Sequence, residues 1–187
     1  MKLALILVAA IPAVAAAQSN LRTAPSGRAT TQVSLAPPRV EGQPGPTPQV
    51  IKIDYGQPHA RGRKVEGALE ADLGKTWRLG ANDPTALTTD VDLVIGGATI
   101  PKGTYTLYAQ TTPKAWQLIV NRRTGAAAAE YDAAADVAKV PLKERTLTSP
   151  VESLTMWLIP GAEGAPNGEL RIAWGTLEHS VDWSVKQ

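Results

Sequence analysis

The chain has 187 residues, 43% hydrophobic and 19% charged, with 16 Gly, 15 Pro and 5 Trp, the balance of one loop-rich globular domain rather than a helical bundle or a disordered chain. Cysteine is absent, which excludes disulfides, thiolate zinc sites, iron–sulfur clusters and a cysteine nucleophile. Lys and Arg number 19 against 17 Asp and Glu, too small an excess for a basic surface, so nucleic acid is not an expected partner.

In chain order the first feature is a leader. Lys2 supplies a positive charge, the residues from Leu3 to Val14 are apolar with a break at Pro12, and Ala15, Ala16 and Ala17 offer a small-residue cleavage site. Residues 1–17 therefore read as a secretory signal peptide, cleaved after Ala17 to give a periplasmic or secreted product. The apolar run falls short of the ~20 residues a membrane span needs, and no cysteine follows it to carry a lipid. The mature chain is expected to have no membrane span.

Residues 18–48 hold Pro25, Pro37, Pro38, Pro44, Pro46 and Pro48 with Gly27, Gly42 and Gly45. Proline lacks the backbone donor a sheet or helix needs, so this stretch reads as a linker. Within it, residues 30–35 alternate through Thr31, Val33 and Leu35 and predict a short strand at a sheet edge.

From residue 49 onward the pattern has period two. Ile51, Ile53 and Tyr55 share one face of a predicted strand, as do Val91, Leu93 and Ile95, after which Gly96-Gly97 marks a tight turn. Tyr105, Leu107 and Ala109 alternate before the connector Thr111-Thr112-Pro113-Lys114, and Trp116, Leu118 and Val120 alternate after it, which predicts a hairpin. Residues 152–159 are apolar on both faces and read as a central strand, and residues 169–174 and 180–185 alternate again. This predicts an all-β fold, an antiparallel β-sandwich over 49–187, with Trp116, Trp174 and Trp183 in its core. Residues 126–138 contain eight alanines; propensity favours a helix there, while the flanking strands and the short length oppose it, and both readings stand.

A family resemblance rests on Tyr55-Gly56-Gln57-Pro58, Arg61-Gly62-Arg63, Gly67, the run from Trp77 through Arg78, Leu79, Gly80 and Ala81 to Asn82, and Ile100-Pro101-Lys102-Gly103-Thr104-Tyr105. The Trp116 strand ending at Asn121, Tyr131-Asp132 and Asp136-Val137 extend it. With these features the chain from about residue 49 to its end resembles the bacterial family DUF2911. The resemblance implies an exported β-sandwich domain and carries no assigned activity. The chain departs from the family pattern where Gly125 precedes alanines instead of a Trp-Gly pair following the Asn121 strand, and where His59 replaces the more usual Ser.

The candidate ligand-binding residues are Tyr55, His59, Arg61, Arg63, Trp77, Arg78 and Asn82. Planar guanidinium groups meet a carboxylate or phosphate bidentately, and an indole can stack on a ring. The opposing reading has Arg63 and Arg78 paired with Glu66, Glu70, Asp72 or Asp83 to brace a long, Gly-punctuated loop, with Trp77 in the core. No metal site is expected, since His59 and His179 stand far apart without a nearby second His. Gly-x-Ser-x-Gly, phosphate-loop and Rossmann spacings are absent, and no cofactor is expected. His179 reads as a surface residue in a turn before the last strand. Asp132 and Asp136 are a carboxylate pair of the kind any chain this size offers. The expectation is a non-catalytic binding or structural module of the cell envelope, with a small anionic ligand or envelope component as partner. The alternative is an enzyme acting on an anionic small molecule or glycan through the Arg/Asn cluster, with His59 as the candidate base.

Overall fold

The computed structural model describes residues 22–65, 74–112 and 115–187. The leader, Gly67, the connector residues Pro113 and Lys114, and the brace partners Glu66, Glu70 and Asp72 lie outside the described residues. The described chain is an all-β sandwich of two antiparallel sheets, as the alternation predicts.

Sheet one runs β1 (Ser26–Leu35), β2 (Gln49–Pro58), β4 (Thr85–Thr89), β7 (Gly103–Thr111), β8 (Trp116–Asn121) and β9 (Asp136–Pro141) in spatial order. The two-residue β3 (Thr76–Trp77) pairs with β7 at Gln110 and Ala109, beyond the part of β7 that pairs with β4. Sheet two runs β10 (Lys143–Pro160), β11 (Asn167–Val185), β5 (Leu93–Ile95) and β6 (Ala98–Ile100). Residues 152–159, read as a central strand, therefore lie in an edge strand: Leu154, Met156 and Leu158 face the core, while Trp157 on the other face is exposed. Ile51, Ile53, Leu87, Leu107, Leu118 and Val120 of sheet one meet Leu93, Ile95, Leu154, Met156, Leu170, Ile172 and Val181 of sheet two in one core.

The first strand is longer than the six residues its alternation predicts. Ser26–Leu35 pairs over its whole length with β2, so Gly27 and Arg28 are strand residues, and the proline-bearing connection begins only after Leu35. Edge position explains the tolerance: β1 has one neighbour in its sheet, and it packs Ala29, Val33 and Leu35 on the core.

The alanine-rich segment forms two short 3₁₀ turns, Gly125–Ala129 and Ala133–Ala135, and then enters β9. Tertiary partners displace the helix that propensity favours. The hydroxyl of Tyr108 donates to Ala128 O at 2.7 Å, the amide of Asn121 donates to Asp132 O at 2.8 Å, and Ala138 pairs with Val120 in the ladder. Carbonyls that an α-helix would need are already bonded elsewhere.

The two patterns read as separate strands, 169–174 and 180–185, belong to one bent strand, β11. Gly175 sits at φ +64° where the β10–β11 register shifts, and the strand returns on itself so that Val185 N donates to Pro166 O at 2.8 Å. A side chain at Gly168 would lie 2.8 Å from the Trp183 ring, so the return depends on glycine there. Trp183 is buried, whereas Trp116 and Trp174 are only half-buried at one end of the sandwich, packed on the core from its margin. The alternation assigns their side correctly but not their depth, because it carries no information on distance from a strand's exposed end.

Candidate functional site

The chemistry-bearing residues of β2 are best understood from the free edge of β10. In an antiparallel sheet, alternate residues of an edge strand aim N–H and C=O away from their partner. On β10 these groups are met by sheet one. Glu152 O accepts from Ala60 N at 2.7 Å, Leu154 O from the Gln57 amide at 3.0 Å. Met156 N donates to the Tyr55 hydroxyl and Leu158 N to the Thr31 hydroxyl, both at 3.1 Å. His59 bridges to Ser153, with Nδ1 2.7 Å from Ser153 Oγ. Tyr55 is 2% exposed, and burial pushes its phenol pKa up. Its hydroxyl thus joins the sheets.

Past this seam the chain turns at Arg61, whose backbone is left-handed at φ +50° and whose N donates to Glu152 Oε1 at 2.6 Å. Arg63 folds back over the same turn, with Nε donating to Ala60 O at 3.0 Å and Nη2 to His59 O at 2.8 Å.

The 77–85 segment is built differently. Trp77 points between the sheets and stacks on Trp174, ring centroids 5.9 Å apart and planes 18° from parallel. Arg78 follows on the solvent side, and its Nη1 donates to Asn82 O at 3.0 Å. Leu79 is buried despite a left-handed backbone at φ +51°, and Asn82 shares that conformation at +62°. For leucine this costs about 1–2 kcal/mol, and it persists because the surroundings over-determine it. Leu79 fills the core and its carbonyl accepts from Thr85 Oγ1 at 2.8 Å. Ala81 N donates to Gly56 O at 3.2 Å, and a Cβ on Gly56 would fall 1.8 Å from Ala81 O. Asn82 Nδ2 donates to Ser26 O at 3.1 Å. The paired glycines Gly56 and Gly80 therefore let a loop lie directly on β2 and deliver Arg78 and Asn82 to the outer face of sheet one.

There they border a cleft of about 460 Å³, within the range of small-ligand sites. Arg78, Asn82, Asp83 and Pro84 form one rim, Ala86, Thr104 and Thr106 the floor, and Thr124, Ala126, Ala128 and Ala129 the opposite wall. The wall is fixed by a polar network. Asn121, fully buried, donates to Asp136 Oδ1 at 2.7 Å; Tyr131 donates to Asp136 Oδ2 at 2.6 Å; Lys139 pairs with the same carboxylate at 3.1 Å. Tyr131 also meets the Tyr108 ring edge-on, centroids 5.2 Å apart, and burial raises both phenols. The pair Asp132 and Asp136 is thus divided in role: Asp132 caps Ala134 N at 3.0 Å while Asp136 anchors the network.

Of the seven residues singled out in the sequence, Arg78 and Asn82 come together at this cleft. Tyr55 is buried at the seam, Trp77 faces the sheet interface, and His59, Arg61 and Arg63 gather at the turn beside β10 and are not among the described residues lining the cleft. For both Arg63 and Arg78 the bonds above run to backbone carbonyls, and Asp83 meets Arg28 through its backbone oxygen at 3.4 Å.

A second concave feature has no counterpart in the sequence reading. At one end of the sandwich Trp77, Trp116, Trp174, Leu142, Leu177 and His179 line a mouth between the sheets with only about 20 Å³ of free space, room for a single water. His179 is not at the surface. It is 7% exposed, inside β11, with its ring 4.9 Å from that of Trp116 and Nε2 3.1 Å from Glu144 Oε2. Burial lowers its pKa and the Glu144 contact opposes the shift without cancelling it. The signal was present: counting back by two from Trp183 and Val181 puts His179 on the inward face. Among the described residues no three His, Asp or Glu side chains gather to hold a metal ion, and no helix is long and apolar enough to cross a membrane.

The family model described as a protein of unknown function, DUF2911, matches residues 41–183. No curated protein and no solved structure matches the chain. The chain belongs to the DUF2911 family.

Proposed function

We propose that this DUF2911 member is an exported, non-catalytic binding module of the cell envelope that holds a small anionic ligand in the outer-face cleft. The observation that carries the reading is the cleft itself: about 460 Å³ with the exposed guanidinium of Arg78 on its rim, held in place by Asn82 O. A guanidinium so oriented offers a directed donor pair to a carboxylate or phosphate. A non-catalytic role is favoured over catalysis by where the two histidines lie, the side chains suited to proton transfer near neutral pH. His59 is bonded to Ser153 and His179 is buried beside Trp116, so neither imidazole lines the cleft. Export is supported by the leader-like composition of residues 1–17.

A thermal-shift series on the chain beginning at Gln18, with small carboxylates and phosphate, tests the site. A bound anion at a hundredfold excess over its Kd raises the melting temperature by about 5–10 °C, and Arg78→Ala abolishes the rise while leaving the free protein's melting temperature within about 1 °C. A rise that survives Arg78→Ala, or no rise with any anion, overturns the reading. N-terminal sequencing of the protein recovered from the periplasm or medium tests export; an intact Met1 overturns it.

A further inference from the structure

The lining of the outer-face cleft defines a ligand class more narrowly than its charge. Arg78 shares its rim with Asp83. A carboxylate beside the cation repels a second or third negative charge on the ligand and accepts hydrogen bonds from hydroxyl groups, so the rim suits a ligand with one anionic group and several donors. The floor and far wall carry the same preference. Thr104 and Thr124 line them with exposed side chains, above the buried Thr106, and a threonine hydroxyl both donates and accepts, as a sugar hydroxyl does. Thr104 Oγ1 lies 3.5 Å from Thr88 Oγ1 on the neighbouring strand, which extends the hydroxyl row along the sheet. Pro84, Ala86 and the alanines of the 3₁₀ turn supply low apolar walls without an aromatic ring. Such walls give a flat aromatic ligand no ring to stack on.

We infer that the cleft binds a sugar acid, a uronate whose carboxylate meets Arg78 and whose hydroxyls meet Asp83, Asn82 and the threonine floor. The inference rests on the anion-binding reading above and narrows it to a polyhydroxylated monocarboxylate, either free or as a residue of an acidic polysaccharide.

The test is isothermal titration of the chain beginning at Gln18 with glucuronate, galacturonate and mannuronate, with glucose and succinate as controls. A Thr104→Val variant accompanies it. Thr104 is exposed and valine is a good strand former, so the variant retains its fold, which its unchanged melting temperature verifies. The expected result is that at least one uronate binds, that glucose and succinate each bind at least ~10-fold more weakly, and that Thr104→Val weakens the uronate ~5-fold or more without changing succinate. An oligosaccharide of the preferred uronate that binds more tightly than the monomer identifies a polysaccharide as the source, and equal affinity identifies the free acid. Succinate binding as tightly as every uronate and depending on Arg78, with Thr104→Val silent, overturns the sugar-acid inference and leaves the anion site standing. If phosphate, succinate and the uronates all fail to bind, both fall.

Discussion

The hydroxyl of Tyr55 accepts a hydrogen bond from Met156 N at 3.1 Å, joining the second strand of one sheet to the free edge of the other. With Thr31, Gln57 and Ala60 it satisfies one outward group on each of Glu152, Leu154, Met156 and Leu158 of β10, the edge that would otherwise offer a template to another strand. The Tyr-Gly-Gln-Pro motif is therefore a seam. Tyr55→Phe leaves Met156 N buried without a partner and is expected to cost about 1–3 kcal/mol, read by urea denaturation, without altering ligand-induced thermal shifts. Unchanged stability would show that the seam does not depend on this bond.

Gly56 is the second element of that motif with a definite physical requirement. Any side chain there meets the Ala81 backbone at 1.8 Å, and backbone cannot swing aside as a flexible side chain can. Gly56→Ala is expected to lower stability by about 3 kcal/mol, at the upper end of overpacking effects. It should also weaken binding at the cleft, because the displaced loop carries Arg78 and Asn82. Gly62→Ala, at φ +76° with open space around its Cβ position, meets no such wall, and its cost is confined to backbone strain of about 1–2 kcal/mol. Equal losses for the two variants, or a sound cleft in Gly56→Ala, would contradict the close-approach account.

The buried His179 makes stability depend on pH in a definite direction. Its folded pKa lies below the unfolded value near 6.5 because burial disfavours the imidazolium. Above pH ~6.5 both states are neutral and its contribution is fully present; as pH falls below that value the unfolded chain takes up a proton the folded chain resists, and stability is lost. The carboxylates act in a separate, lower window. Asp54 is held below its usual pKa, burial being outweighed by bonds from Arg28 and Thr30, and Glu169 is held low by Ser180, again against burial, and by Arg171. Their contributions are lost only below pH ~4.5. Melting temperatures from pH 8 to 5 should decline from about 6.5 downward, and His179→Gln should flatten that decline. A decline that persists unchanged in the variant assigns it to another group.

The tryptophans differ in depth, and truncation should grade them. Trp183→Ala, removing a side chain 4% exposed, is expected to cost ~3–5 kcal/mol. Trp157, 39% exposed on β10, should cost under about 1 kcal/mol on truncation. Trp116→Ala and Trp174→Ala should fall between them. Denaturation midpoints in a different order would contradict the assigned core.

Period-two alternation alone determined that this chain forms antiparallel strands, and which side of each strand is apolar, because burial of one face of a pleated strand is a local, repeating requirement. Leu107, Leu118, Val120, Leu170, Ile172, Val181 and Trp183 all lie in the core where that rule puts them. The arrest of the alanine-rich segment at two 3₁₀ turns was decided by Tyr108 and Asn121, 20 and 11 positions before the carbonyls they bond, through contacts no local propensity contains. Likewise, the bend at Gly175 that merges two strands into one appears only when both ends of β11 must reach the same core. The candidate site divides the same way. The residue types for an anion site were legible, but their grouping was not: strand alternation sends Trp77 inward and Arg78 outward from adjacent positions, the β10 seam draws His59 and Arg63 to its own turn, and the close contact of Gly56 with Ala81 carries Arg78 and Asn82 to the cleft. Which side chains meet is a property of strand order and loop packing, and those follow from contacts between residues far apart in the chain.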